Sequence, residues 1–338
     1  MRVVHLLPAM EQGGVESVVR DLNRVLVGAG VENFVVSRGG RLAAEIERAG
    51  GRHFALDLKS KNPLTYFARA LRLRRLLRDL APDLVCAHSR VPAWLFVWAN
   101  RTLRLPWITY AHGANSVSRY SAVMTRGDRV VTPSRFLADF LKAHYPLDED
   151  RLRVIHPAVD TKRFDPANLD ASFVEAKRRE WGLRDGDRVR MALGRITPVK
   201  GLDALIRELP DDRKLVIVGG ADRHHLGYEA ALRQLAADRG VADRVVFAGP
   251  QAKVPECLSL ADEVVSGNVT KPESFGLSVA EAYAMDKPVL ARRFGGVAEI
   301  MSEVEACGAI SRREAVISLY NYGIMLDKTM AVYRELVK

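Results

Sequence analysis

The stretch "RVVHLLPAMEQGGVESVVRDLNRVLVGAG", residues 2 to 30, decides the fold. It opens with a short apolar run of the length of a buried strand. A glycine pair follows, and apolar residues then recur at the spacing of an amphipathic helix. Strand, glycine turn and helix together are the repeating unit of a parallel sheet covered on both faces. Working outward, "ENFVVS" reads as the next strand and residues 41 to 49 as a helix. "DLVCAHS", "WITYAHG" and "RVVTPS" repeat the strand theme with helices between them.

After "RLRVIHPAVDTKRFDPANLD", residues 151 to 170, the composition turns polar and the pattern restarts. "RVRMALGRI" is a strand with a turn, 201 to 209 a helix, "KLVIVGG" a strand and 227 to 239 a helix. The strand "RVVFAG" and a helix at 253 to 261 come next. The strands "DEVVSG" and "PVLARR" then flank a helix that begins near Gly276. The expected class is α/β: two facing Rossmann-like, doubly wound parallel-sheet domains with a cleft between them. Their expected limits are 1–163 and 164–315. A closing segment, 316–338, is expected to be helical except at Gly323 and to pack back on the first domain.

Length agrees with two domains, because 338 residues exceed one comfortable core. Cys86, Cys257 and Cys307 form neither a CxxC pair nor an even framework, which fits a reducing compartment and argues against structural zinc. "MRVVHLLPAM" is too short and broken for a signal peptide, and no run reaches the roughly 20 apolar residues of a spanning helix. A cytoplasmic protein is expected, resting at most on a membrane surface. Charge is uneven: 26 Lys+Arg against 17 Asp+Glu give +9 in residues 1 to 170, and 25 against 24 give +1 in the rest. The densest cluster is "ARALRLRRLLRDL", residues 68 to 80. On a helix Leu71, Leu73, Leu76, Leu77 and Leu80 form an apolar side, with Arg69, Arg72, Arg75 and Arg78 on its flank. That pattern suits an anionic membrane surface, or simply a solvated helix with a core-facing leucine stripe.

Three constellations carry chemistry. In "EQGGVES" the backbone N–H groups of Gly13 and Gly14 could meet an anion at the positive end of the first helix, although the full GxGxxG fingerprint is missing. In "LGRITPVKG" Arg195 and Lys200 share a strand-to-helix loop, where a fork-shaped and a point cation could clamp phosphate oxygens. In "KPESFGLSVAEAYAM", residues 271 to 285, Glu273 precedes a helix and Glu281 lies within it. With the charge of a ligand neutralised by the helix start and the two cations, both carboxylates are left to accept from neutral hydroxyls. A metal reading is poorer, since no His or Asp cluster supports them.

The Glu273-x7-Glu281 pair, "GRITPVKG", "VIHPAVDTKRFDP", "GGVES", "AHG" at 111 to 113, "TPSRF" and "GGVAEI" occur in the order seen in family 4 of the retaining glycosyltransferases, which have the GT-B fold. The chain resembles that family over nearly its whole length. The resemblance implies that Glu281 holds the nucleotide ribose, that Glu273 and the amides of Phe275, Gly276 and Leu277 hold the transferred sugar, and that Arg195 and Lys200 hold the diphosphate. It also places Gly14 near the phosphates and His112 beside the reacting sugar. Pro157-Ala158-Val159-Asp160 stands where the family usually writes Pro-Gly-Val-Asp, and the region after "GGVAEI" is short.

His5, His88, His156, His224 and His225 are read as structural. The expected reaction is transfer of a sugar from a nucleoside-diphosphate sugar to a hydroxyl of a lipid-linked or cell-surface glycan, with retention and without a metal or other cofactor. The expected partners are the nucleotide sugar, the glycan acceptor and an anionic membrane surface, with no nucleic acid. A nucleotide-sugar epimerase or hydrolase of the same architecture, and a noncatalytic polyanion-binding module, are the competing readings.

Overall fold

The computed structural model describes residues 1–11, 13–222, 224–268 and 271–337. The chain divides into two compact units. Met1–Ala158 with Tyr322–Lys338 forms one, and Val159–Asn321 forms the other.

In the first unit the order is β1 (Arg2–Leu6), α1 (Gly14–Gly28), β2 (Glu32–Ser37), α2 (Ala43–Arg48), β3 (Arg52–Ala55), α3 (Tyr66–Leu80) and β4 (Leu84–Ala87). α4 (Arg90–Leu103), β5 (Trp107–Tyr110), β6 (Arg129–Thr132), α5 (Arg135–His144) and β7 (Leu152–Val154) complete its first segment. All seven strands are parallel, in the order β3-β2-β1-β4-β5-β6-β7. Because side chains alternate across a strand, the sheet feeds two cores. Val4, Leu6 and Val85 face Leu73, Leu77 and Phe96, whereas Val3, Cys86 and Tyr110 face Leu22 and Leu26.

The second unit runs α6 (Ala171–Glu180), β8 (Arg188–Leu193), α7 (Leu202–Arg207), β9 (Arg213–Val218), α8 (Leu226–Asp238) and β10 (Val245–Gly249). It continues with α9 (Val254–Ser259), β11 (Glu263–Ser266), α10 (Leu277–Ala284), β12 (Val289–Ala291), α11 (Gly296–Ala306) and α12 (Arg312–Leu319). Its five parallel strands follow the order β10-β9-β8-β11-β12. Each sheet thus reverses direction beside its first strand, between β1 and β4 and between β8 and β11. In open α/β sheets ligands gather outside the strand carboxyl ends at such a switch point.

Several boundaries differ from the sequence reading. The first unit ends at Ala158, not 163, and residues 316–321 stay with the second unit, where α12 packs on α10 and α11. The last helix, α13 (Tyr322–Arg334), packs on α1. The tail breaks at Tyr320–Asn321, not Gly323: the Tyr320 phenol is anchored on Glu303 at 2.6 Å and its carbonyl accepts from the Val159 amide at 2.8 Å. The helix α6, in a segment read only as polar, starts where the Asp170 side chain accepts from the Phe173 amide, an N-cap.

Candidate functional site

In the second unit the loop after β8 carries the two predicted cations. Gly194 and Gly201 both have positive φ, 127° and 60°, and a Cβ on Gly201 would meet the Gly267 carbonyl oxygen at 1.8 Å. Only glycine lets this loop lie against the backbone beyond β11. Lys200 is thereby brought to Glu273, and the two form a partly exposed ion pair. The sequence reading gave them separate tasks, diphosphate for one and sugar for the other; the structure joins them. Arg195 is exposed and has no hydrogen-bond or ion-pair partner among the described residues.

The helix predicted near Gly276 is α10, and Gly276 is its N-cap, with φ 104° and no side-chain cap. A Cβ there would stand 2.7 Å from Val297 Cγ2. The paired glycines of "GGVAEI" explain themselves in the same way. Gly295 bridges Glu273 in parallel register, the Gly296 amide donates to the Glu273 carbonyl at 2.7 Å, and a Cβ on Gly296 would meet the Phe275 Cα at 2.5 Å. α11 therefore starts against the loop that carries Glu273. Phe275 is buried, edge-on to Tyr320 at 5.5 Å, so its side chain serves the core and leaves its amide to the loop. Leu277 opens α10, and Glu281 lies part-buried one turn further on. Lys200 and Ser278 line one pocket with Gly267 and Leu193. The residues Val269 and Thr270, in the loop expected to precede the sugar site, lie outside the described residues.

In the first unit Gly13 is the N-cap of α1, with extended backbone at φ 176°, and Gly14 is its first residue. The carboxylate of Glu16 occupies the space a Gly13 side chain would take. An anion at this helix end would meet Glu16 already there, a feature the sequence reading did not foresee. His112 follows β5 and is part-buried. Its Nε2 lies 2.9 Å from His88 Nδ1, and His88 Nε2 lies 2.8 Å from His5 Nδ1. Two of the histidines read as structural, His88 directly and His5 through it, are therefore joined to the one read as functional. Burial pushes His5 and His112 down to about 4 and His88 well below its ordinary value, so at neutral pH all three are uncharged. His156, also read as structural, pairs its Nδ1 with the Pro133 carbonyl at 2.9 Å.

The basic helix is α3. Arg72, Arg75 and Arg78 are exposed. Arg69 is not on that surface: it is buried and donates to the Asp57 and Asn62 carbonyls and the Thr65 hydroxyl, tying down the preceding loop. In its place two apolar side chains come to the surface, Leu64 at 89% and Phe67 at 58% exposure. Among the described residues no helix is long and apolar enough to cross a membrane.

Two family models cover these two units. Residues 12–163 match glycosyltransferase family 4, and residues 173–319 match glycosyl transferases group 1. The chain belongs to the group 1 glycosyltransferases. Among curated proteins it resembles D-inositol 3-phosphate glycosyltransferases of Mycobacteroides abscessus, 37% identical over 180 residues, and of Salinispora arenicola, 35% over 188. Each match takes in 52% of this chain but only 39% and 42% of those proteins, so the chain spans less than half the length of these relatives. Among solved structures a glycosyltransferase of Rickettsia africae aligns with TM-score 0.86 and 24% identity over 100% of this chain and 98% of that one. Anabaena HepE in complex with UDP and glucose aligns with TM-score 0.83 and 18% identity over 99% and 100%. At these identities the likeness concerns the fold, which is GT-B.

Proposed function

We propose that the protein transfers a sugar from a nucleoside-diphosphate sugar to the hydroxyl of a lipid-linked or cell-surface glycan, with retention of configuration. One observation carries this reading. At the switch point of the second sheet, an uncapped helix start at Gly276, the cation Lys200 and the carboxylate Glu273 converge within one loop cluster. A helix N-terminus and a lysine suit a diphosphate leaving group. In this proposal they and Arg195 neutralise it without a metal or other cofactor. Glu281 takes the ribose hydroxyls, and Glu273 with the amides of Phe275, Gly276 and Leu277 takes the sugar. His112 hydrogen-bonds the transferred sugar, while Gly13 and Gly14 meet the phosphates once Glu16 has moved aside. Similarity to a protein crystallised with UDP-glucose supports a nucleotide-sugar donor.

For the acceptor, the exposed Arg72, Arg75 and Arg78 beside Leu64 and Phe67 favour a substrate met at an anionic membrane surface, on its cytoplasmic side. A second reading, a phosphorylated cyclitol, is favoured by the likeness to D-inositol 3-phosphate glycosyltransferases. A thermal-shift screen of UDP-, GDP- and ADP-sugars identifies the donor, since a ligand at 100 times its Kd adds about 2.7 kcal/mol to the folded state. Turnover of that donor with lipid-linked glycans, and separately with inositol phosphates, then decides the acceptor. Absence of any donor-dependent shift and turnover would refute the proposal, and acceptor-independent loss of the donor would favour a hydrolase or epimerase.

A further inference from the structure

The helices α10 and α12 have the same length, eight residues each, or about 12 Å at 1.5 Å per residue. They run antiparallel, because residues at the two ends of α12 meet the two ends of α10. At one end the Tyr320 ring, fully buried, stands edge-on to Phe275, the residue before the Gly276 N-cap. At the other, the Arg313 guanidinium donates to the Ala284 carbonyl at 2.8 Å, and the Arg312 amide donates to the Asp286 carboxylate at 3.1 Å. A cation suits the last carbonyls of a helix, where the dipole is negative. α12 is thus a splint laid along α10.

The same two residues hold the segment by which the chain enters the second unit. Val159 is the first residue of that unit and Asn321 the last, and the Val159 amide donates to the Tyr320 carbonyl at 2.8 Å. Arg313 also donates to the Thr161 carbonyl at 3.1 Å and to the Phe164 carbonyl, and it pairs with Asp165 at 3.1 Å. Its planar fork serves the Ala284, Phe164 and Thr161 carbonyls at once, which the point charge of a lysine does not. A third arm is the Tyr320 phenol. Burial and the adjacent Glu303 carboxylate raise its pKa, so it keeps its proton and donates to Glu303 of α11 at 2.6 Å. α11 begins at Gly296, whose amide donates to the Glu273 carbonyl. Tyr320 therefore touches the loop of Glu273 directly at Phe275 and again through α11.

We propose that Tyr320 and Arg313 are positioning residues for the donor: they fix α10, and with it the Phe275, Gly276 and Leu277 amides, to the entry segment 159–165, so that the two order together. The loop does not supply this order alone, because Gly276 at φ 104° and Gly295 at φ 65° leave its backbone free to adopt other conformations. Coupling of this kind is reciprocal. A nucleoside diphosphate at the start of α10 slows exchange in residues 159–165, and loosening those residues disorders the start of α10. The inference rests on the glycosyltransferase reading for its ligand, but not for the coupling.

Hydrogen exchange of the intact protein without ligand tests the coupling. Arg313→Lys and Tyr320→Leu should each speed exchange of the Val159 and Phe164 amides, and of the Val279 and Ala280 amides that donate to the Gly276 carbonyl, by about fivefold or more. The amides of β9 should stay within about twofold. Faster exchange at 159–165 with the start of α10 unchanged overturns the proposal, as does equal acceleration in β9. Should a variant fail to fold, the wild-type protein decides, with UDP, GDP and ADP added in turn. A nucleotide that protects α10 should also slow residues 159–165 by about threefold or more, and protection confined to α10 overturns the proposal. No protection by any of the three, with the ligand-free coupling present, instead refutes the proposed function. In turnover Tyr320→Leu should lower kcat by about tenfold with the donor KM within about twofold, and Tyr320→Phe, which keeps the ring on Phe275, should recover most of that loss. Equal kcat in the two variants would show that the ring does not position the loop.

Discussion

Lys200 and Glu273 belong to one contact before any ligand arrives, and this changes what their substitution should do. A diphosphate must draw Lys200 away from Glu273. Glu273→Gln should then release the cation and bind the bare nucleoside diphosphate more tightly, by less than about tenfold, because an ion pair still open to solvent is worth on the order of 1 kcal/mol. With Glu273 assigned to the sugar alone, as the sequence suggests, the same substitution would leave diphosphate binding unchanged. Turnover should still fall, since a sugar contact that tightens in the transition state acts on kcat. Lys200→Ala should weaken diphosphate binding by about tenfold or more, as expected for a charge-assisted hydrogen bond. Calorimetry on both variants decides; weaker diphosphate binding by Glu273→Gln would show that the pair acts as a single phosphate site. The residue types of this site were legible in the sequence, because "GRITPVKG" and the spaced glutamates carry them. Their pairing was not, for it depends on Gly201 meeting Gly267 across 66 positions of chain, between residues 201 and 267. The contacts among the histidines were hidden for a related reason: His5, His88 and His112 become neighbours only through the register of β1, β4 and β5.

At the scale of elements, the glycines divide into those that hold the fold and those that leave room. Gly201→Ala drives a Cβ into a backbone oxygen and should cost about 2 kcal/mol or more, whereas Gly14→Ala meets nothing within 4 Å and should leave stability unchanged or raise it by about 0.5 kcal/mol. If Gly14→Ala nevertheless weakens the donor, the start of α1 is a ligand contact; denaturation curves and donor titrations on the same samples separate the two effects. For α3, Arg72→Gln/Arg75→Gln/Arg78→Gln should lose binding to vesicles containing anionic lipid, by about 1 kcal/mol per charge at low salt. Phe67→Ser should weaken the same binding in a salt-independent way, because it removes apolar insertion. Flotation that detects no wild-type binding to anionic vesicles would dismiss this surface. Strong strands and amphipathic helices were readable from periodicity. The short strands β3 and β7, "RHFA" and "LRV", were not, since they lie at the sheet edges, carry arginines and present no buried run.

The two units of the molecule should part company in acid. In the first unit His5 is fully buried and its pKa falls from 6.5 to about 4, so the unfolded chain binds a proton that the folded chain refuses. The stabilisation is complete above pH 6.5 and is lost as pH falls from 6.5 toward 4; a shift of that size corresponds to on the order of 3 kcal/mol. His112 and His88 are shifted the same way and add to it. In the second unit the resolved carboxylate shifts run downward, at Asp170, Asp187, Asp203 and Asp222. Their stabilisation is complete above the ordinary carboxylate value and is lost only as pH falls below about 3.8. Urea unfolding of the intact protein, followed by hydrogen exchange resolved to each unit, should therefore show the first unit weakening between pH 6.5 and 4.5 while the second holds. In His5→Phe the first unit should lose much of that pH dependence. Equal weakening of both units across this window would mean that the buried histidines do not control the acid stability of the first sheet.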